Sequence, residues 1–222
     1  PILQITGRDR NKIALQAELL ASFAMGVTNI LCMSGDSPSN GDHPDAKAVL
    51  DLDAMGLLQA VEALCSGYDL FKNELNGTPT FVAGAVVNPG ARDLDREMER
   101  MGSKIDLGAS FFQTQAVYET ESFERFMNKA QVFGVPVIAG LIVLKSGNMA
   151  RYLNKNLPGV FVPEGLIAQI DGSDDRVRSS VEISARIIEE VRSMCRGVHI
   201  MAMGWETKIP QILKSAGIDN SN

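Results

Sequence analysis

The chain has 222 residues, 45% of them hydrophobic, with 27 acidic against 21 basic side chains and a formal charge of −6. That length and apolar share support one domain over 1–222 with a full core, of the size that α/β barrels use. The acidic balance argues against nucleic acid or an anionic membrane as the main partner.

No apolar run approaches the ~18 residues needed to cross a bilayer. Cys32, Cys65 and Cys195 are scattered and form no Cys-x-x-Cys pair, which reads as reduced thiols of a cytoplasmic protein. His43 and His199 lie on separate segments without a His-Glu-x-x-His arrangement, so no metal site is expected.

The chain opens at Pro1 rather than methionine, directly on the strand-like Pro1-Ile-Leu-Gln-Ile-Thr6, a beginning that looks cut. Asp9 or Asn11 can cap a helix to about Met25, with Ile13, Leu15, Leu19, Leu20 and Phe23 at helical spacing. A short apolar strand from Asn29 then enters the Gly35-Asp36 turn, and the polar loop 37–45 leads to a helix over 52–66. Alternation continues through strand 80–87, helix 94–105, strand 110–114, helix 119–133, strand 136–144 and helix 146–156. Helices at 163–170 and 175–195, strand 198–202 and a last helix at 208–216 complete it.

Apolar strands alternating with amphipathic helices predict a parallel sheet covered by helices. No Gly-x-Gly-x-x-Gly follows any strand, which removes the main support for a dinucleotide-binding Rossmann sheet. A (βα)8 TIM barrel is preferred, with about six of its eight units present. Such a remnant exposes two strand edges, so two units are expected upstream unless a partner supplies them.

In a barrel the strand tips collect Gln4, Asp36, Asn88, Gln115, Leu144 and Met203 at one mouth, and Asp36 alone among them is ionisable. It has two readings: a cap for the following loop, or a site carboxylate at the strand end where barrels place their chemistry. One carboxylate and two amides, without a nucleophile or metal ligands, suit cofactor orientation and charge stabilisation better than hydrolysis. Glu97, Arg100, Ser103 and Lys104 form a second cluster, with the first three along one helix face. Spacing alone reads as a solvated face with an ion pair; the alternative is a grip on a pyrophosphate and ribose.

Leu3-Gln-Ile-Thr-Gly-Arg-Asp-Arg-Asn11, Ile30-Leu-Cys-Met-Ser-Gly-Asp-Ser-Pro38, Phe112-Gln-Thr-Gln115, Ala139-Gly-Leu-Ile142 and Met203-Gly-Trp-Glu206 occur in that order, with Asn88-Pro89 and Asp106-Leu-Gly-Ala109 between them. Together they resemble methylenetetrahydrofolate reductase over nearly the whole chain, with a flavour of its anaerobe-type members. The resemblance implies a (βα)8 barrel that binds FAD at the strand ends. It also implies reduction of 5,10-methylenetetrahydrofolate to 5-methyltetrahydrofolate by ping-pong hydride transfer.

By that likeness Asp36 is the catalytic carboxylate beside flavin and folate, favouring the iminium cation that accepts hydride. At 4 Å and an effective dielectric near 20 such a charge pair is worth about 4 kcal/mol before desolvation. Gln115 would read the pterin, and Met149 and Leu153 would line the folate, Leu153 where an aromatic is common; Trp205 is a further wall candidate. FAD would lie against Gln4, Met33, Ser34, Gly35, Asp36, Leu50, Asp51, Gly84 and Asn88, with Glu97, Arg100, Ser103 and Lys104 on its ribose and pyrophosphate.

Several positions depart from the family pattern. Gly84 replaces an aromatic, Ser103 a basic residue, and Gln4 and Asn88 stand where histidines are common. The family's acidic glutamate and a flavin-touching threonine belong to strands upstream of Pro1. The electron donor is expected to be NAD(P)H or a partner subunit, and an oligomer or complex is expected. Two other readings remain: a noncatalytic flavin-binding subunit of an electron-transfer complex, and a folate or corrinoid methyltransferase barrel.

Overall fold

The computed structural model describes residues 1–218. Its elements, in order, are β1 Ile2–Thr6, α1 Lys12–Ala24, β2 Asn29–Met33, α2 Ala54–Cys65, β3 Val82–Val87, α3 Leu94–Asp106 and β4 Phe111–Ala116. They continue with α4 Thr120–Ala130, β5 Val137–Ile142, α5 Gly147–Asn156, α6 Glu164–Asp171, α7 Arg176–Val191, β6 Gly197–Met201 and α8 Ile209–Ser215. The strands form one sheet in the order β1-β2-β3-β4-β5-β6, parallel at β1–β2, β2–β3 and β5–β6. Strand order that follows chain order, with helices between, is the strand–helix repeat of a (βα)8 barrel, here with six strands. No described helix is long and apolar enough to cross a membrane.

The chain gathers into two compact units, one of residues 1–86 and 99–112, the other of 87–98 and 113 onward. In the first, Ile30, Leu31 and Cys32 of β2 are all fully buried, as a strand covered on both faces requires. Leu15 and Leu19 of α1 and Leu57, Leu58 and Leu64 of α2 are buried at helical spacing. Each such side chain contributes roughly 1.5–3 kcal/mol of transfer free energy. In the second unit α7 packs against α4, α6 and α8. Its buried Ser179, Ser180 and Ser184 are small enough to let neighbouring backbones approach.

Several boundaries differ from expectation for local reasons. Asn11 is the cap of α1, accepting from the Ala14 N–H at 3.0 Å. Asp53 caps α2, so that helix begins at Ala54 rather than Leu52. The helix expected to reach Phe133 ends at Ala130 and tightens into a 3-10 turn over 131–133, closed by Gly134 at φ 65°. β4 runs on to Ala116, which places Gln115 inside the strand. Gln4 lies in mid-strand opposite Leu31 rather than at the tip of β1, where the chain leaves through Thr6 and Gly7.

Candidate functional site

In the first unit the site residues gather where β1 and β2 end. The Gly7 N–H donates to the Met33 carbonyl at 3.1 Å, carrying the β1–β2 ladder one residue past the strand. Arg8 then forks onto Asp9 through Nε and Nη2, at 2.6 and 2.9 Å, and its Nη1 donates to the Asp36 carbonyl at 3.3 Å. The Arg8 guanidinium is held above its ordinary pKa first by the Asp9 hydrogen bond, and the charge of Asp36 adds to that.

Gly35 makes this approach possible. Its φ is +87°, and a Cβ there would stand 2.9 Å from the Arg8 Cβ and 3.2 Å from the Thr6 Cβ. Any side chain would therefore meet both a disfavoured backbone conformation and a filled space.

Asp36 is exposed, and among the described residues its carboxylate has no hydrogen bond or ion pair. The loop-cap reading fails here, because Ser37 caps the 3-10 turn 38–40 by accepting from the Ser39 N–H. The turn thus fixes the Asp36 backbone and leaves its carboxylate to solvent or ligand.

The neighbouring candidates divide. The Ser34 hydroxyl accepts from the Ala54 N–H at 3.1 Å and fastens the start of α2 to the end of β2. Asp51 accepts from the Lys12 N–H at 3.2 Å, at the start of α1. Met33 is half-buried, while Leu50 is exposed at φ 52°. Gly84 meets the Phe111 ring: a Cβ would lie 2.3 to 2.5 Å from three ring carbons. The Phe111 ring of β4 thus fills the space that Gly84 leaves.

Helix α3 does not show the solvated face its spacing predicts. Glu97 is 7% exposed and accepts the Asn88 N–H at 2.9 Å. Lys104 is 4% exposed and donates from Nζ to the Val86 carbonyl at 2.6 Å. Charged groups this buried persist only when hydrogen-bonded, and both are bound to the chain that leaves β3. Ser103 donates to the Glu99 carbonyl at 3.0 Å, and Arg100 is exposed. Of the four residues expected to grip a dinucleotide, Arg100 and Ser103 keep accessible surface, whereas Glu97 and Lys104 are committed to backbone.

In the second unit Asn88 closes its own loop, its Oδ1 accepting from the Gly90 N–H at 3.0 Å. Gln115 is exposed near the end of β4, and its carboxamide has no partner among the described residues. Its backbone is pinned: the Thr114 hydroxyl donates to the Gln115 carbonyl at 2.7 Å and accepts from the Gly140 N–H at 2.9 Å. Tyr118 is buried and donates to the Ile142 carbonyl at 2.8 Å; burial raises its phenol pKa. On α5, Met149 is half-buried and Leu153, one turn on, is 5% exposed. Leu153 is therefore a core residue with little surface for a substrate.

Sequence reasoning missed a polar pair in this unit. Gln113, two residues before Gln115 and on the same face of β4, lies 2.7 Å from His199 Nδ1 through its amide nitrogen. Gly140 of β5 pairs in register with His199, and a Cβ on it would stand 2.4 Å from the Thr114 carbonyl oxygen. Burial holds the His199 pKa below its ordinary value. A glutamine interrupting the apolar run Phe111-Phe112 was the available signal.

The sequence profile of the methylenetetrahydrofolate reductase family matches residues 1–217. Methylenetetrahydrofolate reductase 2 of Schizosaccharomyces pombe is 24% identical over 97% of this chain and 35% of its own length. The 5,10-methylenetetrahydrofolate reductase of Pectobacterium carotovorum is 26% identical over 73% of this chain and 49% of its own length. The chain thus spans about a third to a half of the length of these relatives. Among solved structures, hydroxymethylglutaryl-CoA lyase from Pseudomonas aeruginosa aligns with 97% of this chain and 63% of its own at TM-score 0.49 and 12% identity. An uncharacterised Clostridium thermocellum protein that binds two copies of 5-methyl-5,6,7,8-tetrahydrofolic acid aligns with 97% of this chain and 92% of its own at TM-score 0.45 and 16% identity.

Proposed function

The chain belongs to the methylenetetrahydrofolate reductase family, and from that premise we propose that it forms the folate- and cofactor-facing part of an enzyme reducing 5,10-methylenetetrahydrofolate to 5-methyltetrahydrofolate. The observation that carries this reading is the bare Asp36 carboxylate, exposed at the end of β2 on a turn that Gly35 and Arg8 hold in place. Opening of the methylene bridge, with N10 taking the bond's electron pair and a proton, leaves an iminium cation on the folate. A fixed negative charge beside it favours the state that accepts hydride, as preorganised charge does wherever charge develops in a reaction. Gln115 suits the pterin ring, because a carboxamide donates and accepts at adjacent positions and this one has no partner among the described residues.

FAD, once bound and reduced by the electron donor, would supply the hydride. The groups of this chain suited to hold it are the strand end Met33 to Asp36, with Arg100 and Ser103 for the pyrophosphate. Glu97 and Lys104 do not suit that task as placed, since both are spent on backbone hydrogen bonds. Leu50 and Asp51 also keep exposed surface, Asp51 at the start of α1. In ping-pong order, NAD(P)H or a partner subunit would deliver electrons before folate enters.

The commitment of Glu97 and Lys104 favours one competitor, a barrel that binds folate without flavin. Anaerobic titration of the FAD-incubated protein with 5-methyltetrahydrofolate separates the readings. Bound flavin whose absorbance bleaches on addition is the expected outcome. Flavin bound but unbleached would point to an electron-transfer subunit, and folate binding without flavin to a methyltransferase-type barrel; either would overturn the proposal.

A further inference from the structure

The Gln113–His199 pair is polar where a barrel of this kind is ordinarily apolar, since bulky branched side chains fill the interior layers of such strands. Gln113 stands in the middle of β4 and His199 in the middle of β6. Side chains two apart on a strand share a face, so Gln113 sits one layer beneath the Gln115 carboxamide. Gln113 is 8% exposed and His199 is half-buried. Leaving a buried polar group unsatisfied costs roughly 1–3 kcal/mol, and the one hydrogen bond that the two side chains share satisfies neither completely.

That bond fixes which atoms are left. An amide nitrogen donates and does not accept, so His199 Nδ1 is the acceptor and the neutral ring carries its proton on Nε2. Burial favours this neutral ring, as the lowered pKa records. Among the described residues the Nε2–H has no hydrogen-bond partner, and neither has Gln113 Oε1. Both atoms also keep surface, because the buried side-chain polar atom without a partner among the described residues is Ser180 Oγ of α7. One donor and one acceptor therefore stay open on two side chains that hold each other in place.

The chemical group that answers a neighbouring donor and acceptor is a lactam edge, a ring carbonyl beside a ring N–H. We propose that His199 and Gln113 form a lactam-reading subsite, in which His199 Nε2–H donates to the ring carbonyl and Gln113 Oε1 accepts from the ring N–H. The inference rests on the folate reading above, in which both rings, the pterin of the substrate and the isoalloxazine of the flavin, carry such an edge. Gln113 has a second task as a positioning residue, since its amide holds the imidazole in the donating tautomer.

Calorimetric titration with two pairs of compounds tests the subsite. Aminopterin differs from folic acid at the lactam edge alone, where it has an amino group beside a bare ring nitrogen; 3-methylriboflavin differs from riboflavin by losing the N–H. Wild type is expected to prefer the lactam form of one pair by about tenfold, equivalent to ~1.4 kcal/mol, and the pair that shows the preference identifies the ring. In His199→Phe and Gln113→Met the ratio should fall to within about twofold. A purely structural role would weaken both members of a pair alike and leave the ratio unchanged.

Equal affinities within both pairs, no binding of any of the four compounds, or a ratio that survives in both variants would overturn the subsite. The wild-type comparison needs no substitution, so it decides even where a variant fails to fold. Parallel titration with 5-methyltetrahydrofolate keeps the two readings apart. Its binding without a lactam preference in either pair removes the subsite and leaves the folate reading standing. A riboflavin preference that His199→Phe abolishes, without binding of 5-methyltetrahydrofolate, removes the folate reading and keeps the subsite.

Discussion

The β2 exit and helix α3 both carry charged residues at spacings that read as ligand sites, yet the fold treats them oppositely. At the β2 exit the backbone is tied down by Arg8, Gly35 and Ser37 while the Asp36 carboxylate stays exposed, without a hydrogen bond or ion pair among the described residues. On α3, Glu97 and Lys104 are buried and their charges hold the chain leaving β3. A site needs a rigid frame around groups left unsatisfied; a structural latch spends the same chemistry on the frame itself.

The largest expected effect tests the exposed side of that contrast. Asp36→Asn should lower the rate of folate reduction by about 10²- to 10³-fold, the scale of removing one preorganised stabilising group. Its stability should stay within about 0.5 kcal/mol of wild type, as for a surface change that touches no partner. Single-turnover rates and urea midpoints, measured together, would break the contrast if stability fell and rate did not.

Lys104→Met tests the buried side and should do the reverse. Losing the donor to the Val86 carbonyl should cost about 2 kcal/mol of stability, read as a lower urea midpoint. A variant as stable as wild type that had lost only cofactor affinity would return Lys104 to a binding role.

A smaller effect concerns His199, whose burial favours the neutral ring. With its pKa below the ordinary 6.5 in the folded protein, the unfolded chain binds the proton first as pH falls. Stability should therefore be full above about pH 6.5 and decline below it, down through the folded-state pKa. Protonation would also turn Nδ1 into a donor facing the Gln113 amide nitrogen. Comparing urea midpoints across this window for wild type and His199→Gln should show a flatter profile in the variant.

Much of the architecture was legible because its signals are local. The period of the apolar residues marked each strand and helix, the start of α1 was narrowed to Asp9 or Asn11, of which the fold uses Asn11, and β2 showed itself as an unbroken apolar run. The place of Asp36 just past the end of β2 was legible for the same reason, since a Gly-Asp pair ends the apolar run. Gln4 was misplaced because a strand tip depends on where pairing stops, and β1 continues to Thr6. Leu153 was misjudged because a leucine one turn from Met149 reads equally as a ligand wall or as core.

The sequence by itself determined the order of strands and helices, the turn that presents Asp36 and the family to which the chain belongs. These follow from side-chain periodicity, glycine conformational freedom and motifs in fixed order. The tertiary structure alone decided which charges are spent and which are left. Whether Glu97 faces solvent or the Asn88 N–H, whether the Phe111 ring fills the space at Gly84, and whether Lys145 meets Trp205 depend on residues brought together from distant segments. Hydrogen bonds and close packing act over a few ångströms in space, and spacing along a chain does not measure that distance.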